Sequence, residues 1–384
     1  MIKHIYRLIR TYFNKIFKFK YMNLEEERKY LIFESIDKYY HIDYNKLDAR
    51  WRSNYTFVNS WQQETYVMHY PQSCYIEPIY GYAITKNNQY LLHSKAGSYK
   101  YLLFGSSYGK TPPPDRFVFF LKKRKAIKLD KAISLNTQEN FGKNYFAAYN
   151  GALGQLYMME KYGVDLTLPV IVPKSLFETK FFQQIISLSP KLKNINWITR
   201  NDIDYDFKNA QYFQCRELYT ARAVPYSKTV LIPLTKWFDN IQPQNYAPND
   251  RKVFLTRSLN RPRHLRNKEE IEHIVSSLGF KIIDTDELTV KEQIQIFRNV
   301  SMLIAMHGAG NINMIFRYPK HLNLLEIHTP GWPATSYEII ASELDYEYDI
   351  YWGTDLGKDD NNNNTSFYID PYDFKEKVIN WIKK

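Results

Sequence analysis

The chain has 384 residues, enough for two or three domains that each bury a core. A composition of 44% hydrophobic and 24% charged residues excludes wholesale disorder, and two cysteines, Cys74 and Cys215, exclude a disulfide scaffold or a four-cysteine zinc site. The net charge is +12, which points to polyanionic partners, and half of it lies in residues 1–22, where Lys3, Arg7, Arg10, Lys15, Lys18 and Lys20 precede the first acid, Glu25.

On a helix, Ile2, Ile5, Ile9, Tyr12 and Ile16 share one face, widened by Tyr6, Phe13 and Phe17. Lys3, Arg7, Arg10, Asn14 and Lys18 share the opposite face. Charges recurring every three or four residues exclude a transmembrane span. The lack of an apolar run and of a small-residue cleavage site speaks against a signal peptide. Residues 1–22 therefore read as a basic amphipathic helix on an anionic membrane surface. With half the excess charge there and no nucleic-acid module visible, nucleic acid is not an expected partner.

Residues 24–41 read as a charged helix. From 55 to 135 the pattern is mostly short strands. YGYAITK and QYLLHS flank Asn87-Asn88, a hairpin turn. Pro112-Pro113-Pro114 forms an extended connector, and FVFFL (117–121) reads as a buried strand. Strands and helices then alternate: the strand KAISL, a helix at 144–162 ended by Gly163, the strand LPVIVP (168–173), the amphipathic helix LFETKFFQQIISL stopped near Pro190, and the strand INWIT (195–199). The stretch from Pro225 to Asp250, with Pro233, Pro243 and Pro248, reads as an interdomain connection.

A second alternating series follows. It runs through the strand KVFLTR (252–257), a helix at 267–278 ended by Gly279, the strand FKIID (280–284), a helix at 289–298, the strand in VSMLIAMHG and the strand NLLEIH (323–328). Asn361–Asn364 is a low-complexity loop. The C-terminal helix, 371–384, places Phe374, Val378 and Trp381 on one face. The expected division is a helix at 1–22, an acceptor-side α/β domain at 23–230, a Rossmann-like domain at 231–370 and the helix 371–384. Such sheets bind ligands at the carboxyl ends of their strands.

Three segments carry candidate chemistry. In AMHGAGNINMIF (305–316) an apolar strand ends at His307, and Gly308 and Gly310 let the backbone approach a ligand. NINMIF can begin a helix, whose first amides bind phosphate oxygens. FLTRSLNRPRHLRNKEE (254–270) places Arg257, Arg261, Arg263, His264 and Arg266 after a strand, where guanidinium forks suit a pyrophosphate. Glu326, in NLLEIH, can accept hydrogen bonds from ribose hydroxyls. Asp202-Ile203-Asp204 has metal-motif spacing, but it follows a strand of the first domain and reads as a loop cap.

Together these segments resemble glycosyltransferase family 61, which includes plant xylan-decorating transferases, animal O-GlcNAc transferases of the endoplasmic reticulum, and bacterial capsule and lipopolysaccharide enzymes. The resemblance runs from roughly 130 to 340. Arg257, Arg263 and Asn267 match the family's strand-end pattern, and Glu292-Gln293 match its Glu-Gln pair. His307, Gly308, Ala309, Gly310 and Asn313 match HGAG-x-x-N, and Glu326 matches the carboxylate that follows. Pro330-Gly331-Trp332 and Tyr337 also fall where the family places them.

The resemblance implies a GT-B fold with two Rossmann-like domains facing a cleft. It implies inverting transfer from a nucleotide-sugar to a glycan or lipid-linked acceptor, without a bound metal or other cofactor. Arg257, Arg263, His307, Gly308, Ala309, Gly310, Asn313 and Glu326 would hold the donor. In NYFAAYNGALGQL (144–156), however, Ala147 stands for the family's His, Ala148 for Trp, Gly151 for Asp, Gly154 for Pro and Gln155 for Arg. The catalytic base is therefore unassigned. The expected role is bacterial capsule, lipopolysaccharide or exopolysaccharide synthesis at the inner face of the cell membrane. The alternative is a catalytically impaired relative that serves the same pathway as a nucleotide- or glycan-binding scaffold.

Overall fold

The computed structural model describes residues 2–40, 60–79, 81–91, 115–135, 144–202, 210–222, 226–242, 251–329, 336–354 and 366–384. The Pro112–Pro114 connector, the Asn361–Asn364 loop, Pro330-Gly331-Trp332 and the stretch 243–250 lie outside them. The chain divides into two compact units. One contains Met1–Asp37 and Gln62–Pro225, and the other contains Lys38–Trp61 and Tyr226–Lys384.

The first unit is built on a mixed sheet. Its strands are β1 (Leu31–Tyr40), β2 (Ser60–Tyr70), β3 (Cys74–Ile76), β4 (Ala83–Thr85), β5 (Ile127–Ser134), β6 (Val170–Pro173), β7 (Trp197–Arg200) and β8 (Phe213–Arg222). The order is β1-β2-β8-β5-β6-β7, with β3 on β8 and β4 on β3. Strands β8, β5, β6 and β7 are parallel, while β2 and β3 run antiparallel to β8. Cys74 and Cys215 are buried, free thiols facing each other across β3 and β8. Asn88 takes the left-handed backbone conformation (φ 59°) in the turn after β4, as the Asn-Asn pair predicts.

Two expectations fail here. The charged segment at 24–41 is helical only over Leu24–Arg28 and continues as β1, whose Ile, Phe and Tyr residues favour a strand. FVFFL is a helix, Arg116–Lys122, rather than a strand. Asp115 caps it by accepting from the Val118 amide, and Arg116, Val118 and Phe119 are buried. A run of five apolar residues has no period of its own, so the cap and the packing decide it.

The second unit has a fully parallel sheet of β9 (Lys252–Thr256), β10 (Lys281–Asp284), β11 (Met302–Met306), β12 (Asn323–His328) and β13 (Glu347–Trp352). The order is β10-β9-β11-β12-β13. The chain steps from β9 to β10 on one side and returns to β11 on the other, so the order reverses between β9 and β11. That crevice is where ligands enter doubly wound sheets. Helices Lys268–Ser277 and Val290–Phe297 make the first two crossovers. The third is a 3₁₀ helix, Ala309–Arg317, and the fourth is Ser336–Glu343. Gly279 closes its helix at φ 83°.

The expected connection at 225–250 is partly structured. Ser227 caps a helix, Lys228–Thr235, whose Val230, Leu231 and Leu234 are buried beside Trp237 and Phe238. The buried apolar run VLIPL outweighs the turn propensity of Pro233, the sixth of the helix's eight residues.

The C-terminal helix, Pro371–Ile382, buries Phe374, Val378 and Trp381 against Phe254, Ile304, Leu325 and Phe367. Gly353 lies against the Phe367 ring, where any added Cβ would collide. Gly353→Ala is therefore expected to cost about 1–3 kcal/mol by overpacking. A lowered midpoint for the second unit in urea titration would show it, and an unchanged midpoint would refute it.

Candidate active site

Arg257 directly follows β9 and His307 directly follows β11, so the order reversal sets them side by side. The Arg257 guanidinium donates to the Pro262 carbonyl (2.7 Å) and, weakly, to the His307 carbonyl (3.4 Å). Gly308 makes room for it, since a Cβ there would fall on the guanidinium, with Cζ at 3.3 Å. Arg263 lies in the same loop, in left-handed backbone (φ 63°). Burial, then the neighbouring Arg263, pushes Arg257 down to about 10. Burial lowers Arg263 too, against the opposing pull of Tyr337 and Glu326. Two adjoining, largely desolvated cations repel each other, and an anion between them relieves both costs.

The other basic residues of this segment lie elsewhere. Arg261 pairs with Asp286 at 2.7 Å on the surface, and the His264 ring meets the Arg261 carbonyl. Asn267 makes a two-way amide pair with the Ile369 backbone, tying the loop to the C-terminal segment.

His307 is held from behind. Its Nδ1 lies 2.7 Å from Glu326 Oε1, and its side chain is 11% exposed. The other carboxylate oxygen, Oε2, receives the Tyr348 hydroxyl at 2.8 Å and His328 Nε2 at 3.2 Å. Burial alone would raise the Glu326 acid, but His328 and His307 outweigh it and hold it at about 2. Burial lowers His307 below its ordinary 6.5, with Glu326 opposing. The pair is therefore a carboxylate and a neutral imidazole near pH 7. Nδ1–H must be the donor, which sets Nε2 on the ring edge away from Glu326.

Glu326 is fully buried and both its oxygens serve protein groups. The ribose contact expected of it gives way to a different place, behind His307. His307, Glu326 and His328 also offer three ligand atoms within 4.8 Å of one another, a group that could hold a metal ion. Each imidazole instead meets its own oxygen at hydrogen-bond distance, and the neighbouring guanidiniums disfavour a dication.

The glycine turn is gripped on every side. Tyr337 donates to the Gly308 carbonyl at 2.6 Å, and its ring centroid lies 5.2 Å from that of His307. Asn311 donates to the Met306 carbonyl. Asn313 is buried and donates to Gln293 (2.9 Å), whose amide reaches the Thr285 and Leu288 carbonyls. Asn313 and Gln293 thus brace the turn from within. Glu292 completes a capping box with Thr289. Ala309 and Gly310 open the 3₁₀ helix, where the first amides have no partner inside the helix.

In the first unit, Ala147, Ala148 and Gly151 lie on the helical stretch Tyr145–Lys161, which widens to a π turn over Ala148–Leu153. A Cβ at Gly151 would meet nothing within 4 Å. The position has room for a side chain and carries none. Asp202 accepts from the Ser175 amide and hydroxyl, as a loop cap does.

The Glycosyltransferase 61 family model matches residues 67–324, two thirds of the chain, including the Arg257 loop and the His307 turn. The chain belongs to glycosyltransferase family 61. It is accordingly a glycosyltransferase, with a nucleotide-sugar donor and a glycan acceptor in general terms. No curated protein matches it.

Proposed function

We propose that this family 61 enzyme transfers a sugar, with inversion and without a metal cofactor, from a nucleotide-sugar to a glycan or lipid-linked glycan in bacterial surface polysaccharide synthesis. The proposed fold class is GT-B, with the donor on the second unit. Residues 1–22 keep the enzyme at the inner face of the cell membrane. The observation that carries the donor assignment is the Arg257–Arg263 pair, half-buried beside a glycine turn at the sheet's order reversal. Arg257, Arg263, His307 and the amides of Gly308, Ala309 and Gly310 bind the diphosphate, while Asn313 and Glu326 support them from behind.

Thermal stabilisation by UDP, GDP, CDP and ADP, with and without divalent metal, tests this. One nucleotide is expected to stabilise the protein by about 2.7 kcal/mol at 100 times its Kd. Arg257→Ala is expected to abolish that shift. No response to any nucleotide would sink the donor assignment. A second reading, a catalytically impaired scaffold, is favoured by the bare position at Gly151. Nucleotide binding without transfer to any acceptor would support it.

A further inference from the structure

The N-terminal helix, Ile2–Ile16, docks by its polar side. Arg10 and the Asn14 amide reach Asp115, and the Asn14 side chain accepts from the Phe117 amide. Arg116 donates to the Asn14 carbonyl. Phe13 packs against Phe117 and Phe120, and Phe17 against Phe120, at ring separations of 5.4, 5.7 and 6.3 Å. Two residues of the expected headgroup face, Arg10 and Asn14, are thus spent on the protein itself. The apolar row is left outside: Leu8, Ile9, Tyr12, Ile16 and Phe17 are between 48% and 68% exposed. An apolar row of this kind marks a binding surface.

The same docking recruits a second basic segment, about a hundred residues away in sequence. Contacts run in step along the two helices, from Arg10 on Asp115 to Phe19 on Phe119 and Phe120. Lys18 and Lys20 flank Phe19, which packs near the end of helix Arg116–Lys122. There the chain reads Lys122-Lys123-Arg124-Lys125, with Lys128 beyond, and has no acid between Asp115 and Asp130. Lys123 caps the Phe120 ring at 4.5 Å, while Arg124, Lys125 and Lys128 are exposed. Leu121 and Ile127 are exposed among them.

We propose that this composite face, the outer row of helix Ile2–Ile16 together with the basic turn at Lys122–Lys125, is the surface by which the protein lies on an anionic bilayer. The proposal deepens the membrane reading above, from a terminal anchor to a two-element platform fixed to the first unit. Apolar side chains enter the headgroup boundary while flanking cations meet the lipid charges. No helix among the described residues is long and apolar enough to cross a membrane, in keeping with in-plane contact.

Co-sedimentation of the full chain with phosphatidylcholine vesicles, and with vesicles containing roughly one quarter phosphatidylglycerol, tests it. Wild type is expected to bind only the anionic vesicles and to release as salt rises to about 0.5 M. Replacing Lys122, Lys123, Arg124 and Lys125 together by Gln is expected to weaken binding at least tenfold. Ile9→Asp with Tyr12→Asp, both exposed sites, is expected to do the same. If the four-Gln variant bound like wild type while the helix variant failed, the platform would be wrong and the terminal anchor right. If wild type bound duplex DNA and no vesicle, both membrane readings would fall. The nucleotide response of each variant reports folding and keeps the donor assignment separate.

Discussion

Gly308→Ala is expected to weaken nucleotide binding sharply while leaving the protein folded. Gly308 has extended backbone (φ −171°), which alanine adopts without strain. The new methyl would meet the tip of the Arg257 side chain. A flexible tip moves aside, so the stability cost should stay within about 0.5 kcal/mol. The displaced guanidinium can no longer meet the diphosphate. A charge-assisted hydrogen bond is worth about 1.5–3 kcal/mol, which corresponds to roughly a 10- to 150-fold weaker Kd. Calorimetric titration of the stabilising nucleotide into Gly308→Ala and Arg257→Ala should give losses of similar size. Unimpaired binding by the alanine variant would remove Arg257 from the site.

Glu326→Gln is expected to change both stability and its pH dependence. Glu326 is held at about 2 in the folded chain, against an ordinary 4.5. A depressed carboxyl stabilises the fold fully above 4.5, and that contribution is lost as pH falls from 4.5 through 2. His307 is also depressed, below 6.5. Between its folded value and 6.5 the unfolded chain holds the extra proton, so acidification destabilises the fold there too. Both contributions have the same sign, and wild type should weaken progressively below pH 6.5. The Gln variant loses the part below 4.5 and keeps the His307 part. Removing the carboxylate altogether, as in Glu326→Ala, strands three buried hydrogen-bonding groups and should cost about 3–5 kcal/mol. Melting temperatures measured from pH 3 to pH 8 decide this. Parallel curves for wild type and Glu326→Gln would refute the network's role.

The second unit was legible because its strands are short apolar runs bounded by Gly, Asn and charged caps, which leave few alternatives. Arg257 and His307 could be chosen from sequence because each ends such a run. Tyr348 could not. It reaches Glu326 only because β13 pairs with β12, with Leu324 opposite Tyr348 and Glu326 opposite Ile350, and no local pattern announces that pairing. His328 did leave a trace, two residues after Glu326 on the same strand face. In the first unit the competing signals were closer in strength. The strand at 31–40 lay hidden under Glu34, Asp37 and Lys38, and the helix at 116–122 under its aromatics. The role of the Lys122–Lys125 turn depends on a neighbour that sequence distance conceals.

The bracing of the glycine turn bears on how a donor would be captured. Asn311, Arg257 and Tyr337 hold the three successive carbonyls of Met306, His307 and Gly308, and Asn313 is tied to the Gln293 side chain, before any ligand arrives. A pocket so preorganised spends little ordering entropy on association, where a loose one gives up about 0.5–1.5 kcal/mol for each side chain it must immobilise. Selectivity for the leaving nucleotide then rests on the fit of a rigid mould. Substitutions in the bracing residues should widen the range of nucleotides accepted before they erase binding.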